Sequence, residues 1–490
     1  MDLTIFFFMT TVLSAIVSLT IFFENRDPAK TVSWLLVMVF LPGIGFFIYL
    51  LFGENLRKGK IKKTKAKVAQ YLMSSDIKGM VSLQRLTMHQ KYALKEDLVF
   101  SNRKHAIKKK VMQLILNSER APFTLNNDVK IFTEGVEKFN EMMKDIENAK
   151  DYVHLEYFIV KDSEIGRRLR ELLIKKAKEG VKIRFLYDDI GSFRLFFHRD
   201  FLQGLKDAGV EVRPFIQAHF PYFHRKFNYR NHRKICIIDG EIGYLGGLNI
   251  GDEYVHKNPK FGFWRDTHLR IEGESVYMLQ IIFLIDYHIG SDKKVIGERL
   301  FPPIKYKGDS IIQIVSSGPD NQYESIYNAY FSSISQARKT VYIQTPYFIP
   351  DDALLTALKT AILSGVDVRI MFPSFPDHKM VYHASLSYLE EILKIGGRVF
   401  LYEKGFIHSK TILIDSEIAS VGTANMDIRS FMINFEVNAF IYDTMTIKKL
   451  YNIFDMDMKD SRELFYDEII KKPLRTRFME SLARLFSPIL

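Results

Sequence analysis

His232-Arg233-Lys234-Ile235-Cys236-Ile237-Ile238-Asp239, followed by Gly246-Gly247-Leu248-Asn249, returns later as His408-Ser409-Lys410-Thr411-Ile412-Leu413-Ile414-Asp415, followed by Gly422-Thr423-Ala424-Asn425. In both copies lysine comes two residues after histidine, aspartate seven after and asparagine seventeen after. One such spacing is open to chance in a lysine-rich chain, whereas two with equal downstream spacing indicate an internal duplication. On a strand, residues i and i+2 share a face, so each imidazole and its ammonium project into one cleft. Asp239 and Asp415 end apolar strands beside Gly240 and Ser416, and both a catalytic carboxylate and a turn residue that fixes the strand end are open for them. Gly247, and Thr423 at the matching place, are expected in the wall of a substrate site, where glycine lets backbone approach a ligand closely. Asn249 and Asn425 each offer an amide donor to an anionic oxygen.

Around these stretches one order of elements runs twice, from about residue 128. The first pass has a helix-like stretch ending near Lys150, then apolar strands at 152–160, 181–189, VEVRPF, KICIID, IGYLGG and DTHLRIEG. The second has a helix-like stretch before Lys339, then strands at 340–350, VDVRIMFPS, RVFLYE, KTILID, IASVGTAN and NFEVNAFIYD. Between the first two strands of each pass, residues 165–178 and 353–363 carry apolar residues at three and four spacing and end at Gly180 and Gly365. Strands alternating with helices of this length predict two similar α/β sandwich lobes in pseudo-twofold arrangement, with equivalent residues meeting at their seam.

Two facing half-sites then gather two imidazoles, two lysines and two asparagines around one point, which is the equipment of a phosphate site. Lysines neutralise oxygens whose charge changes in the transition state, one neutral imidazole attacks phosphorus, and the other, protonated, donates to the leaving alkoxide. Either histidine alone reads as a satisfied core imidazole; the pair does not.

The whole chain has 490 residues, 47% of them hydrophobic and 26% charged, which excludes a disordered or collagen-like protein. A single cysteine, Cys236, excludes an intramolecular disulfide framework and a multi-cysteine zinc site. The net charge of +12 implies an anionic partner, nucleic acid or acidic lipid. At the amino end, Leu3–Phe23 and residues 32–53 are two runs without charge, each about 30 Å long as a helix and able to cross a bilayer. A cleaved signal peptide fits poorly, because Met1-Asp2 supplies no basic region ahead of the first run. Between the runs Glu24, Arg26, Asp27 and Lys30 cancel, while Arg57, Lys58, Lys60, Lys62, Lys63, Lys65 and Lys67 follow the second with no acid among them. The positive-inside rule places both termini in the cytoplasm, and the cluster adds attraction to anionic lipid of about 1 kcal/mol per residue. Pro42, Gly43 and Gly45 keep a re-entrant second segment open. The expected division is a transmembrane helical hairpin at 1–53, a basic linker with helical pieces at 54–125, a first lobe at 126–305, and a second at 306–490 with an amphipathic tail. That tail puts Phe478, Leu482, Leu485 and Phe486 on one helical face, which suits an interfacial helix or one packed on the second lobe.

The paired motifs resemble the two HxKxxxxD motifs of the phospholipase D superfamily, over both lobes. The resemblance implies a phosphohistidine intermediate, no metal and no other cofactor, with His232 as nucleophile and His408 as acid and then base; near symmetry of the copies leaves the inverse assignment open. It also implies an acidic residue beyond each asparagine that fixes the histidine tautomer. In the second copy this is Glu436, eleven residues past Asn425. In the first it is Asp266, seventeen past Asn249, with Glu253 of the intervening insertion as competitor.

The order of double apolar segment, basic linker, lobes and tail, and the stretches RDPAKTVSWLLVMVFLPGIGFFIYLLFG, NYRNHRK, GGLNIGDEY, WRDTH and TANMDIRSF, resemble bacterial cardiolipin synthases. That implies transfer of a phosphatidyl group from one phosphatidylglycerol to another, giving cardiolipin and glycerol. The setting implied is the bacterial plasma membrane with catalytic lobes on the cytoplasmic side, phosphatidylglycerol and anionic lipids as partners, and no nucleic acid. A membrane-bound phospholipase D using water as acceptor shares the same motifs. A nuclease has no need of the double membrane segment, and a lipid-binding scaffold would be expected to lose a motif histidine or lysine. The basic aromatic stretch 219–234 offers Arg225, Lys226 and Arg230 to lipid phosphates, or is a solvated loop.

Overall fold

The computed structural model describes residues 3–23, 28–41, 45, 49, 84–91, 106–217, 228–295 and 297–487. The basic run from Arg57 to Lys67, residues 54–83 and 92–105 of the expected linker, and residues 218–227 of the basic aromatic stretch lie outside them. The chain divides into two units, residues 1–60 with 217–229, and residues 61–216 with 230–490.

In the first unit Leu3–Phe23 forms one helix of 21 residues. Pro28–Phe40 forms a second, opened by a proline whose missing N–H is not needed at the first helical position. Its hydrogen bonding continues from Leu41 N to Val37 O (3.0 Å) and from Gly45 N to Leu41 O (2.6 Å). Ile21, Met38 and Tyr49 are buried together against Val17 and Trp34, with the Trp34 and Tyr49 rings meeting edge-on at 5.2 Å. Ile16, Leu19, Phe22, Val39 and Phe40 face outward. Among the residues whose side chains are described, no helix is long and apolar enough to cross a membrane.

The second unit carries two mixed sheets. Strand β1 (Phe123–Thr124) precedes the first sheet in the chain yet pairs with an edge of the second. The first sheet uses β2 (Asn127–Phe132), β3 (Tyr152–Tyr157), β4 (Lys182–Tyr187), β5 (Glu211–Pro214), β6 (Ile235–Ile238), β7 (Ile242–Gly246) and, past the short β8 (Phe263–Arg265), β9 (His268–Gly273). Their order is β2-β9-β7-β6-β3-β4-β5. The second sheet uses β10 (Ile312–Ser317), β11 (Thr340–Gln344) and, past β12 (Phe348–Ile349), β13 (Asp367–Pro373) and β14 (Arg398–Tyr402). It continues, past β15 (Gly405–Ile407), with β16 (Thr411–Ile414) and β17 (Ile418–Gly422), and past β18 (Met426–Asp427), with β19 (Glu436–Ile441) and β20 (Ser461–Leu464). The order is β1-β10-β19-β17-β16-β11-β13-β14-β20.

The two sheets share one plan because their sequences do. In each, the strand bearing the motif pairs antiparallel with the first strand of the pass, β6 with β3 and β16 with β11, and the first strand pairs parallel with the next. Parallel neighbours need a crossover helix. Glu164–Lys178 and Asp352–Leu363 supply it, capped by Ser163 accepting from Gly166 N and by Asp351 accepting from Leu354 N. Gly180 (φ 94°) and Gly365 (φ 88°) end these helices in the left-handed region that disfavours any Cβ. Covered on both faces, β3, β6, β16 and β19 are buried at every residue, which is why β6 reads as an unbroken apolar run and the polar residues of β3 and β19, His154, Glu156, Glu436 and Asn438, are buried too.

Helix Ser275–Ser291, apolar on every side, is buried from Ser275 through Tyr287. It touches β5, β6, β7 and β9 of the first sheet and β10 of the second, so the lobes share a core along it.

Candidate active site

Each motif histidine stands just ahead of its strand, His232 before β6 and His408 before β16, and each is stitched to the opposite lobe. His232 N donates to Phe435 O at 2.9 Å, and Asn231 bridges Phe435 in parallel sense. His408 N donates to Arg265 O at 2.7 Å, where β15 runs parallel to β8 with Ile407 opposite Arg265. Phe435 and Arg265 are the residues immediately before Glu436 and Asp266. The backbone pairing therefore delivers each acid to the other lobe's histidine. His232 Nδ1 lies 2.9 and 3.0 Å from the Glu436 carboxylate oxygens, and His408 Nδ1 lies 2.9 Å from Asp266 Oδ2. Both acids are wholly buried. Glu253, the competitor in the insertion, pairs with Lys161 instead.

A carboxylate at Nδ1 holds a proton there and leaves Nε2 of each ring for chemistry. Burial, partly countered by the Glu436 and Asp266 charges, holds both imidazoles low, each at about 4, so they rest neutral. The neighbouring lysines add to this, Lys410 acting on both rings and Lys234 on His232. Burial would raise the two acids, but the histidines and lysines facing them win and hold both below the ordinary carboxylate range.

Lys234 Nζ and Lys410 Nζ each donate to the carbonyl of their own motif histidine at 2.6 Å, as residues two apart on one face must. Lys410 Nζ also lies 2.8 and 3.1 Å from the two ring nitrogens of His408. Burial lowers Lys234 well below its ordinary value, with the Lys410 charge adding to this, and brings Lys410 to about 8. Burial outweighs the Glu436 and Asp266 charges that face both lysines, so a bound anion would favour their charged forms further. Phe158 stands edge-on to His232 at 5.0 Å, and Trp264 lies 5.2 Å from His408. These rings exclude water from the imidazoles.

The other sequence-derived residues divide. Asn425 is buried with its Oδ1 unpartnered among the described residues, and its side chain hydrogen-bonds Asp427, whose charge acts on Lys410. Asn249 is engaged internally, accepting from Ile159 N at 3.0 Å and donating to Tyr254 Oη at 3.1 Å. Gly247 and Thr423 line the orienting acids. A Cβ on Gly247 would run into the Asp266 carboxylate, while Thr423 hydrogen-bonds Glu436 and Thr423 Oγ1 accepts from Val437 N at 2.9 Å. Asp239 and Asp415 do not join the site. They follow the far ends of β6 and β16 and accept three backbone N–H groups each, from Lys150, Asp151 and Tyr152 and from Arg338, Lys339 and Thr340. Their positive φ, 51° and 52°, suits the turn role.

Sequence reasoning missed several polar residues around the histidines. Asp188 accepts from Asn231 N at 2.9 Å and from Arg230 Nη1 at 3.2 Å, and its field reaches Arg429. The Asp377 charge acts on His408 and Lys410, and its carboxylate accepts a hydrogen bond from Tyr347 Oη. Buried Arg233, the variable residue of the first motif, donates to Glu436 O at 3.1 Å and to Ser317 O at 3.2 Å, and pairs with Asp286. The one available signal was the placement of Arg233 between a site histidine and a site lysine. Among the described residues no group of three histidine, cysteine or acidic side chains could hold a metal ion.

The duplicated site has counterparts elsewhere. A family model described as "Cardiolipin synthase, PLD-like domain" matches twice, at residues 142–264 and 330–458, and one described as "Phospholipase_D-nuclease N-terminal" matches residues 12–54. The chain is 45% identical to the major cardiolipin synthase ClsA of Bacillus subtilis, covering 100% of this chain and 98% of that one. It is 44% identical to cardiolipin synthase 2 of Bacillus cereus over 98% of this chain and 90% of that one. A cardiolipin synthase of Listeria monocytogenes is 44% identical over 96% of both chains. Among solved structures, phosphatidylserine synthase of Haemophilus influenzae shares the fold, with a TM-score of 0.59 at 14% identity over 78% of this chain and all of that one. With both halves of the crossed site inside the two matched segments or just beyond them, and relatives this similar along the whole length, the chain belongs to the cardiolipin synthase family of phospholipase D-like proteins.

Proposed function

We propose that the chain makes cardiolipin and glycerol from two phosphatidylglycerols through a phosphohistidine on His232. The observation that carries this reading is the crossing: each histidine is held at Nδ1 by the other lobe's acid, so two Nε2 atoms serve one phosphorus. His232 Nε2 attacks phosphorus, the bond to the headgroup glycerol oxygen breaks, and His408, protonated at Nε2, gives its proton to that oxygen. Glycerol leaves. Neutral His408 then takes the proton of a headgroup hydroxyl on a second phosphatidylglycerol, that oxygen attacks phosphorus, and the phosphorus–nitrogen bond breaks to release His232. A resting His408 near about 4 must gain a proton for the first step. The substrate's phosphodiester charge, set between Lys234 and Lys410, favours that protonation and restores charge to the lysines.

Asn425, with its spare Oδ1, is assigned to the headgroup hydroxyls, and Asn249, Gly247 and Thr423 to holding the walls around them. Asp239 and Asp415 are assigned to fixing the strand ends. Leu3–Phe23 and the following apolar run are read as a membrane hairpin, with the lobes on the cytoplasmic face by the Arg57 to Lys67 cluster. An anchored site meets its acceptor lipid at high effective concentration with water partly excluded, which favours transfer over hydrolysis. The test is to incubate membranes holding the protein with headgroup-labelled phosphatidylglycerol and to separate the products. Cardiolipin with free glycerol, absent for both His232→Ala and His408→Ala, is expected; phosphatidic acid with glycerol would make the chain a hydrolase, and cardiolipin at the parental rate in either variant would sink the mechanism.

A further inference from the structure

The turn after β4 reads Ser192-Phe193-Arg194-Leu195-Phe196-Phe197-His198-Arg199. Only Ser192 and Leu195 of it are buried; Phe193, Phe196 and Phe197 are 57%, 66% and 74% exposed. Two phenylalanines on a four-residue 3-10 turn and a third just after it make an apolar knob that a water-facing surface has no use for. The Phe196 and Phe197 rings meet edge-on at 5.6 Å, and the Arg199 guanidinium lies 4.9 Å over Phe196. Arg194 and Arg199 are exposed beside the rings, and Arg199 and Lys206 line a cavity of about 220 Å³ that Phe193 and Phe196 also wall.

The knob is tied to the active site. Asp188, one residue past β4, accepts from Ile190 N and Gly191 N at the base of the turn and from Asn231 N, next to His232. Ser192 Oγ donates to Phe158 O and accepts from Val160 N, both at 3.0 Å, and Phe158 is the ring packed on His232. The parallel register of β3 and β4, Tyr157 opposite Tyr187, puts the turn at the end of the sheet where β6 begins behind His232. Aromatic rings flanked by cations are the chemistry that enters the boundary between headgroups and acyl chains of an anionic bilayer.

We propose that the Phe193–Phe196 turn and Phe197 insert into the anionic membrane surface and seat the rim of the active site on it, so that a lipid phosphodiester reaches His232 without leaving the bilayer. This rests on the reading of the chain as an enzyme of membrane phospholipid. It assigns to the knob a role separate from chemistry: chain anchoring holds the molecule at the membrane, and the knob sets the site's facing.

Cys236 is fully buried, so a nitroxide placed by Phe197→Cys in the full chain labels a single accessible thiol. In phosphatidylglycerol-rich vesicles this label is expected to be reachable by oxygen and shielded from a water-soluble nickel chelate, and a label at exposed Glu171 by Glu171→Cys to behave oppositely. Equal nickel access at both sites would overturn the proposal. So would shielding from both agents with spin–spin broadening, which would put a second copy of the chain over the knob. Serine at all three phenylalanines is expected to lower cardiolipin formation on vesicles on the order of tenfold and to leave turnover of monomeric short-chain phosphatidylglycerol unchanged; an equal loss on both substrates would contradict it. A parent chain inactive on both substrates would overturn the transferase reading and leave the depth result standing.

Discussion

His232 and His408 are held by acids that carry no bond to them in the sequence, and this crossing sets what single substitutions do. Glu436→Gln keeps the shape of the contact and removes the charge that fixes the His232 tautomer, so kcat is expected to fall about 10²- to 10⁴-fold with little change in folding, as read by turnover and thermal unfolding of the same preparation. The titrations give a pH profile. On the proposed mechanism His232 attacks only when neutral, above about 4, His408 donates only when protonated, below about 4, and Lys410 neutralises phosphate only when protonated, below about 8. A plot of kcat/KM against pH is thus expected to peak near about 4, where His232 sheds its proton while His408 still holds one, and to show a further loss through about 8 as Lys410 is neutralised. Stability follows the histidines with a definite sign. Their folded values near about 4 lie below the ordinary 6.5, so as pH falls the unfolded chain takes up protons first. The stability that the buried neutral rings contribute is complete above 6.5 and is lost on the way down to about 4, with the depressed Asp266 and Glu436 acting in the same direction. The thermal midpoint is expected to drop between pH 7 and pH 5.

At the scale of the element, strands β6 and β16 each separate a reactive end from a structural one. Asp415→Ala removes the acceptor of three backbone N–H groups before β11, and is expected to destabilise by about 1–3 kcal/mol while the folded fraction keeps its kcat within a few-fold. A loss of kcat without a loss of stability would return Asp415 to the chemistry. Leu279→Ala in the helix between the sheets opens a cavity over Gly243 and is expected to cost about 2–5 kcal/mol, measured by denaturant titration. The strands and the two crossover helices were legible because each apolar run sits between turn residues, and because the second pass repeats the first. Strands β2 and β10 and helix Ser275–Ser291 were not named from the sequence. The first two are matching strands that stand ahead of the helix at the head of each pass, and the helix, apolar on every side, shows no amphipathic period. The histidine and lysine pairing was legible from spacing alone, and Glu436 and Asp266 from the family pattern. Their exchange between lobes was not, since it depends on Phe435 and Arg265 meeting Asn231 and Ile407 across the seam.

For the whole molecule, the two sheets cannot function apart: each lobe keeps a histidine and lends its acid away. The helix buried between the sheets and β1, which crosses ahead of the first lobe to the edge of the second sheet, bind the halves into one body. The proposed mechanism gives this body one catalytic centre and one nucleophile, His232. That is the central claim, and the direct measurement is to rapidly quench the enzyme under alkaline conditions with phosphatidylglycerol labelled at phosphorus, then map the acid-labile label to a peptide. The account predicts label on His232, turning over when unlabelled phosphatidylglycerol is added and absent in His232→Ala. Label on His408, or cardiolipin formed with no labelled histidine, would contradict it.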